Sequence, residues 1–388
     1  MKNLRFPLYL MLATLFASGF VACSSDDDED PFAKKENTLA PAISQYVNNT
    51  VIATYKSLAD ASIRLYEAIG ELKKDGGKTE ANLTAAAQAW KDTRVYWERS
   101  EAFLFGAVAD FGIDPHIDTW PLDEAAFEVA LKTENSIKNM GAEGGDVWAS
   151  EHLGVALLGF HGIEYILFKN GNIKSGNEIT DKELIYAYAV AGDLRNQCVR
   201  LEVSWAGIDA VAAEKKSLVE DRELQVIPSN SPLSYGENML TAGKAGSTYR
   251  TVTDAAEAII AGCITISDEV GETKIGTAHR ADDVNYIESP YSFNSKVDFV
   301  DNIISIENAY LGGVDPNKRG ASVSDYIKSI DSELDTKIKN AITNAKAKIN
   351  AIPFPFAQHY NSDEAGVAMD ACGDLTAALE KVQEALRR

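Results

Sequence analysis

Apolar residues return at steps of three and four along nearly the whole chain, the period of a helix buried on one side. From Pro41 the series Ile43, Tyr46, Val47, Val51, Tyr55, Leu58, Leu65, Ile69 and Leu72 keeps that step. Proline suits a first helical turn, and Gly76-Gly77 ends the pattern. A second helix is predicted over 80–105, through Leu83, Ala87, Trp90, Arg94, Trp97 and Glu101, and a third over 146–168. A fourth opens on Thr180-Asp181-Lys182-Glu183, a capping-box pattern, and runs to Trp205. Four more are predicted over 247–268, 290–311, 322–349 and 362–386, and strand patterns are almost absent.

Eight helices in two sets of four predict an all-α protein of two tandem four-helix bundles. The N-terminal bundle is placed at 39–226 and the C-terminal bundle at 247–388, with the Pro-, Ser-, Asn- and Gly-rich stretch 227–246 as linker. Ser100-Glu101-Ala102-Phe103-Leu104-Phe105-Gly106 aligns with Ile306-Glu307-Asn308-Ala309-Tyr310-Leu311-Gly312, the trace expected of an internal duplication.

The N-terminus reads differently. Lys2 and Arg5 precede an apolar run, Phe6 to Val21, that ends in Phe20-Val21-Ala22-Cys23. This is a signal peptide over 1–22, and its end resembles a bacterial lipobox with Cys23 as the lipidated residue. The family pattern has Leu where Phe20 stands. Residues 23–38 are expected to be an acidic tether, because Asp26-Asp27-Asp28-Glu29-Asp30 repels itself. That run resembles the export tag of surface lipoproteins in the Bacteroidetes. The expected location is the cell envelope, anchored to the outer membrane on its periplasmic or outer face. A net charge of −21 argues against nucleic acid and leaves cations as plausible ligands. Cys198, Cys263 and Cys372 are too few and scattered for a disulfide framework or zinc ribbon, and read as buried thiols or at most one pair.

The chemistry-bearing stretch is Gly159-Phe160-His161-Gly162-Ile163-Glu164. His161 and Glu164 stand three apart on one helical face, amid Leu157, Leu158, Ile163 and Ile166. Two glycines cost helix propensity of roughly 1 kcal/mol each, so something must approach closely there. The pair reads either as a structural hydrogen bond, supported by an arginine such as Arg94, or as metal ligands. Spacing alone favours the structural reading. Glu98 and Glu101 on the second helix, and His116 and Asp118 in the loop 112–121, are further candidates. His279 and His359 read as solvated. No zinc-protease His-Glu-x-x-His, nucleophile elbow, P-loop or dinucleotide fingerprint is present.

Gly159-x-His161-x-x-Glu164 resembles the Gly-x-His-x-x-Glu motif of the imelysin family, classed as candidate metallopeptidases. Trp90, Arg94, Ser100-Glu101-Ala102-Phe103, Phe105-Gly106, Ile117-Asp118-Thr119-Trp120-Pro121-Leu122-Asp123 and Glu288-Ser289-Pro290-Tyr291-Ser292 are similar to that family too. The resemblance implies two related helical bundles with a site where they meet, and a role in peptide cleavage or iron uptake. It makes His161, Glu164 and Glu101 metal ligands for iron or zinc, with Arg94, Asp118, Trp120 and Ser292 around them. The function expected is binding of a metal cation or metal chelate in iron uptake, with an envelope transport partner. The alternative is a metallopeptidase acting on peptides, with Glu164 or Glu101 as base on a metal-bound water.

Overall fold

The computed structural model describes residues 30–388. The signal segment, Cys23 and most of the acidic run lie outside them. The described chain is helical apart from a two-residue hairpin, Phe168–Lys169 against Asn172–Ile173. The principal helices are α1 (Pro31–Tyr46), α2 (Ile52–Leu72), α3 (Glu80–Glu98), α4 (Gly159–Leu167) and α5 (Asp181–Ala206). They are followed by α6 (Val252–Asp268), α7 (Ser295–Leu311), α8 (Ser332–Ala351) and α9 (Asp363–Arg387).

Several boundaries differ from expectation. α1 starts at Pro31, inside the stretch assigned to the tether, and carries Pro41 in its interior. A π-turn, Val47–Val51, joins it to α2. The third predicted helix is broken into Gly145–His152, Val155–Leu157 and α4, because Gly159 takes a positive φ of 69°. The helix predicted over 322–349 breaks at Asp331, which caps α8 by accepting from Leu334 N–H at 2.9 Å. The capping box at Thr180 is present: Glu183 N–H donates to Thr180 Oγ1 at 3.2 Å and Thr180 N–H to Glu183 at 2.7 Å.

α2, α3 and α5 pack together, and α6, α7, α8 and α9 form the second set. The sets are not separate bodies. One hydrophobic core runs from Leu39 to Leu386, and α3 packs on α7 while α1 packs on α6. The segment 227–246 contains a short helix, Tyr235–Leu240, and buries Tyr235 and Met239 in that core, so it is not an exposed linker. The two aligned motifs share one feature: Gly106 and Gly312 have φ of 71° and 73°. Their glutamates differ, since Glu101 is buried while Glu307 pairs with Lys346 and, at 3.5 Å, with Arg319. The three cysteines are buried and free.

Contact between the halves is closest where α6 meets the turn Glu101–Phe103. A Cβ on Gly262 would stand 2.1 Å from the Ala102 carbonyl oxygen. Gly262→Ala is expected to destabilise by about 1–3 kcal/mol through overpacking. Gly373 on α9 is exposed, with nothing near its would-be Cβ, so Gly373→Ala should stabilise by up to about 1 kcal/mol. Urea unfolding of the two variants reads both signs.

Candidate functional site

Arg94 is the centre of the site. It sits on the inner face of α3 and has no solvent exposure. Desolvating a guanidinium is costly unless its charge and N–H groups are matched. Four carboxylates from four segments do that. Glu98, one turn along α3, and Asp118 are in direct contact with it, Glu288 is at 2.7 Å, and Asp298 on α7 is at 3.5 Å. The guanidinium also lies over the Phe160 ring, 4.8 Å from its centroid.

Lys274, in the π-turn Glu269–Ile275, is a second buried cation. Its ammonium is 3.2 Å from Glu288, 3.4 Å from Glu98 and 4.0 Å from Glu101. Asn302 on α7 donates to Glu98 at 2.5 Å.

The third cation is His161. Its Nε2 is 3.1 Å from Asp118 Oδ1 and its Nδ1 is 3.1 Å from Glu164 Oε2. Glu164 Oε1 accepts from Tyr291 N–H at 3.0 Å, Ser292 N–H at 2.8 Å and Ser292 Oγ–H at 2.7 Å. Asp118 Oδ2 accepts from Trp97 Nε1 at 2.7 Å. The glycines flanking His161 have their reason here. A Cβ on Gly159 would lie 1.7 Å from the Ile117 carbonyl oxygen, and one on Gly162 would lie 2.7 Å from the Tyr186 hydroxyl. The close approach brings α4 against the loop that carries Asp118.

Burial opposes charge throughout, and the partners decide which groups keep it. Burial pushes Asp118 up, but Arg94 and His161 override it and hold the carboxyl at about 2. Burial likewise disfavours the His161 imidazolium, yet the hydrogen bonds to Asp118 and Glu164 raise it to about 9. Glu98 and Glu101 go the other way. Burial lifts both well above the usual carboxylate range despite the nearby cations, and lifts Asp298 to about 6. Asp114 is raised to about 7 by burial and then by Asp118.

Of the residues singled out in the sequence, Arg94, Glu98, Asp118, His161, Glu164 and Ser292 form one connected network, and Lys274 links Glu101 to it. Trp120 lies at the edge, its ring tilted by 42° against Tyr286 with 4.0 Å between ring centroids. His116 is turned away and pairs with Asp193 at 2.8 Å. His279 is half-buried and bonded to the Tyr360 carbonyl at 2.9 Å, rather than solvated. Sequence reasoning missed Lys274, Asp298 and Asn302. The last two had a signal: Asp298, Asn302 and Ser305 are polar residues at core spacing on α7.

Among the described residues two groups could hold a metal, Asp118–His161–Glu288 and Glu98–Glu101–Asp118, the donor atoms within each lying no more than 4.8 Å apart. Glu164 is in neither. Both ring nitrogens of His161 face carboxylates in this arrangement, so a metal in the Asp118–His161–Glu288 group would have to replace the hydrogen bond between His161 and Asp118. The Glu98–Glu101–Asp118 group does fit one, as hard oxygen donors. Glu101 is the open member, with no hydrogen bond, and it borders a cavity of about 480 Å³.

The family model described as Imelysin matches residues 51–382, and the chain belongs to that family. It is 26% identical over 347 residues to iron-regulated protein A of Synechococcus elongatus, covering 88% of this chain and 84% of that protein. The crystal structure of a proposed iron-regulated protein A precursor from Parabacteroides distasonis superposes with a TM-score of 0.75 at 28% identity, over 90% of this chain and 95% of that one. An imelysin-like protein from Psychrobacter arcticum 273-4 shares the fold, with a TM-score of 0.55 at 14% identity over 90% and 93% of the two chains.

His161 has a testable signature. Its folded pKa of about 9 lies above the ordinary 6.5. The stability it contributes is therefore complete below pH 6.5 and is lost as pH rises through about 9. Urea unfolding should show that decline in the parent protein and not in His161→Ala. At neutral pH the variant should lose about 3–5 kcal/mol, because two buried carboxylates lose their shared donor.

Proposed function

We propose that this imelysin-family protein binds a hard metal cation, free or as a chelate, at Glu98, Glu101 and Asp118, and that it serves iron uptake in the cell envelope. One observation carries the reading. Six buried carboxylates (Glu98, Glu101, Asp118, Glu164, Glu288 and Asp298) face three buried cations (Arg94, His161 and Lys274). Burial holds Glu98 and Glu101 toward the neutral form, and a bound cation would release their protons and pair with the carboxylates left behind. Oxygen donors favour iron(III) or another hard ion over zinc, which prefers imidazole and thiolate. The names of the relatives from S. elongatus and P. distasonis support the link to iron. Arg94 and Lys274 hold the carboxylates in place, and Glu101 faces the cavity through which an ion or chelate arrives.

The metallopeptidase reading has weaker support. A base needs an uncommitted lone pair, and Glu164 uses its oxygens on four donors. Glu101 has the freedom, but the donors grouped with it, Glu98 and Asp118, include no imidazole. The protein is carried, in this proposal, by acyl chains on Cys23 at the outer membrane, where it meets an envelope transport partner. Among the described residues no helix is long and apolar enough to cross a membrane.

Calorimetric titration with Mn²⁺ and with ferric citrate tests the site. Saturable binding is expected, weakened in Glu101→Gln by at least about ten-fold, since even outer-shell changes cost about that much. Glu307→Gln, at the aligned position in the second half, should match the parent. Absence of binding in the parent contradicts the proposal. For the anchor, Cys23→Ala should move the protein from the membrane fraction to the soluble one, and unchanged membrane association would exclude lipidation there.

A further inference from the structure

Beside the buried charge network, a cavity of about 480 Å³ opens between the turn after α3 and the outer face of α6. Its size is that of a small-molecule site. Its walls are apolar: Leu104, Phe105, Tyr249, Ala258, Ala261 and Ile266. One end is acidic, formed by Glu101 and Glu269. Glu101 is only 6% exposed and has no hydrogen-bond partner. Its nearest cation, Lys274 at 4.0 Å, is closer to Glu288 and Glu98. The Glu269 side chain makes no hydrogen bond or ion pair within 4.0 Å among the described residues, although it feels the charge of Lys274.

We propose that this cavity binds an amphipathic organic cation, an apolar or aromatic body ending in one ammonium group. The inference shares Glu101 with the metal reading above but stands on the cavity and requires no metal. A metal ion alone does not account for the space, because hard ions need several oxygens and the walls beyond the two glutamates offer few. An alkylammonium matches both ends. Its three N–H donors suit carboxylate acceptors that lack other donors, and its apolar stem replaces water along the walls. Ala258, Ala261 and Gly262 keep the α6 side shallow, and Phe105 and Tyr249 provide ring faces for an aromatic body.

Calorimetry on the whole protein with a chelator present, using 4-phenylbutylammonium, 4-phenylbutan-1-ol and 4-phenylbutyrate, tests this. The ammonium is expected to bind at least about ten-fold more tightly than the alcohol, a difference of about 1.4 kcal/mol, and the carboxylate most weakly. Glu269→Gln should reduce the preference for ammonium over alcohol. Ala258→Leu and Ala261→Leu, which fill the cavity without touching either carboxylate, should each weaken both ligands in protein that still unfolds cooperatively. Equal affinity for ammonium and alcohol, no ammonium binding, or undiminished binding in both leucine variants would overturn the inference. Mn²⁺ titration of the same samples separates the two readings. Binding of Mn²⁺ without the amine removes this inference alone, and binding of the amine without Mn²⁺ removes the metal site alone.

Discussion

A guanidinium with no access to water must be neutralised in place, and the requirement set by Arg94 organises this protein. Its partners come from α3, from the loop before Trp120, from the segment after Ile287 and from α7. The first two lie in the N-terminal half and the last two in the C-terminal half. An ion pair of this kind gains little net stability over apolar packing, but losing one member is expensive. Its convergence joins segments of both halves at one point inside the shared core.

That network also explains why the family motif does not look like a zinc site. His161 is held between Asp118 and Glu164 with both nitrogens engaged, and Glu164 is capped by backbone N–H groups of Tyr291 and Ser292. The motif thus ties α4 to the loop 112–121 on one side and to the segment before α7 on the other. Its glycines let the backbones approach, and its histidine carries charge between two acids. Carboxyl groups also gather on the other flank, where Glu98 is enclosed and Glu101 borders the cavity.

Local chemistry was readable in the sequence, and long-range convergence mostly was not. Helical period, the Thr180 capping box and the His161–Glu164 pairing depend on neighbours within four residues, and all were legible. Arg94 and Asp118 were candidates from helix spacing and loop composition, and Ser292 from the family resemblance, but nothing in their spacing reveals that residues 24 and 198 positions from Arg94 share its surroundings. Lys274 escaped because it lies beyond the helix predicted over 247–268, in a π-turn that the spacing does not foretell. The break at Gly159 was hidden for a similar reason. Glycine is compatible with a helix, and both its positive φ and the approach of the Ile117 carbonyl depend on another segment of the chain. The stretch 227–246 has a linker's composition, yet Tyr235 and Met239 are claimed by the core.

The central claim is that Glu98, Glu101 and Asp118, beside Arg94, hold a metal cation. Crystals soaked in manganese or iron, with anomalous difference density measured at the metal edge, address it directly. The account predicts a peak bounded by the carboxylates of Glu98, Glu101 and Asp118, with His161 still bridging Asp118 and Glu164. A peak coordinated by His161 and Glu164, or saturated soaks with no peak beside Glu101, would contradict it.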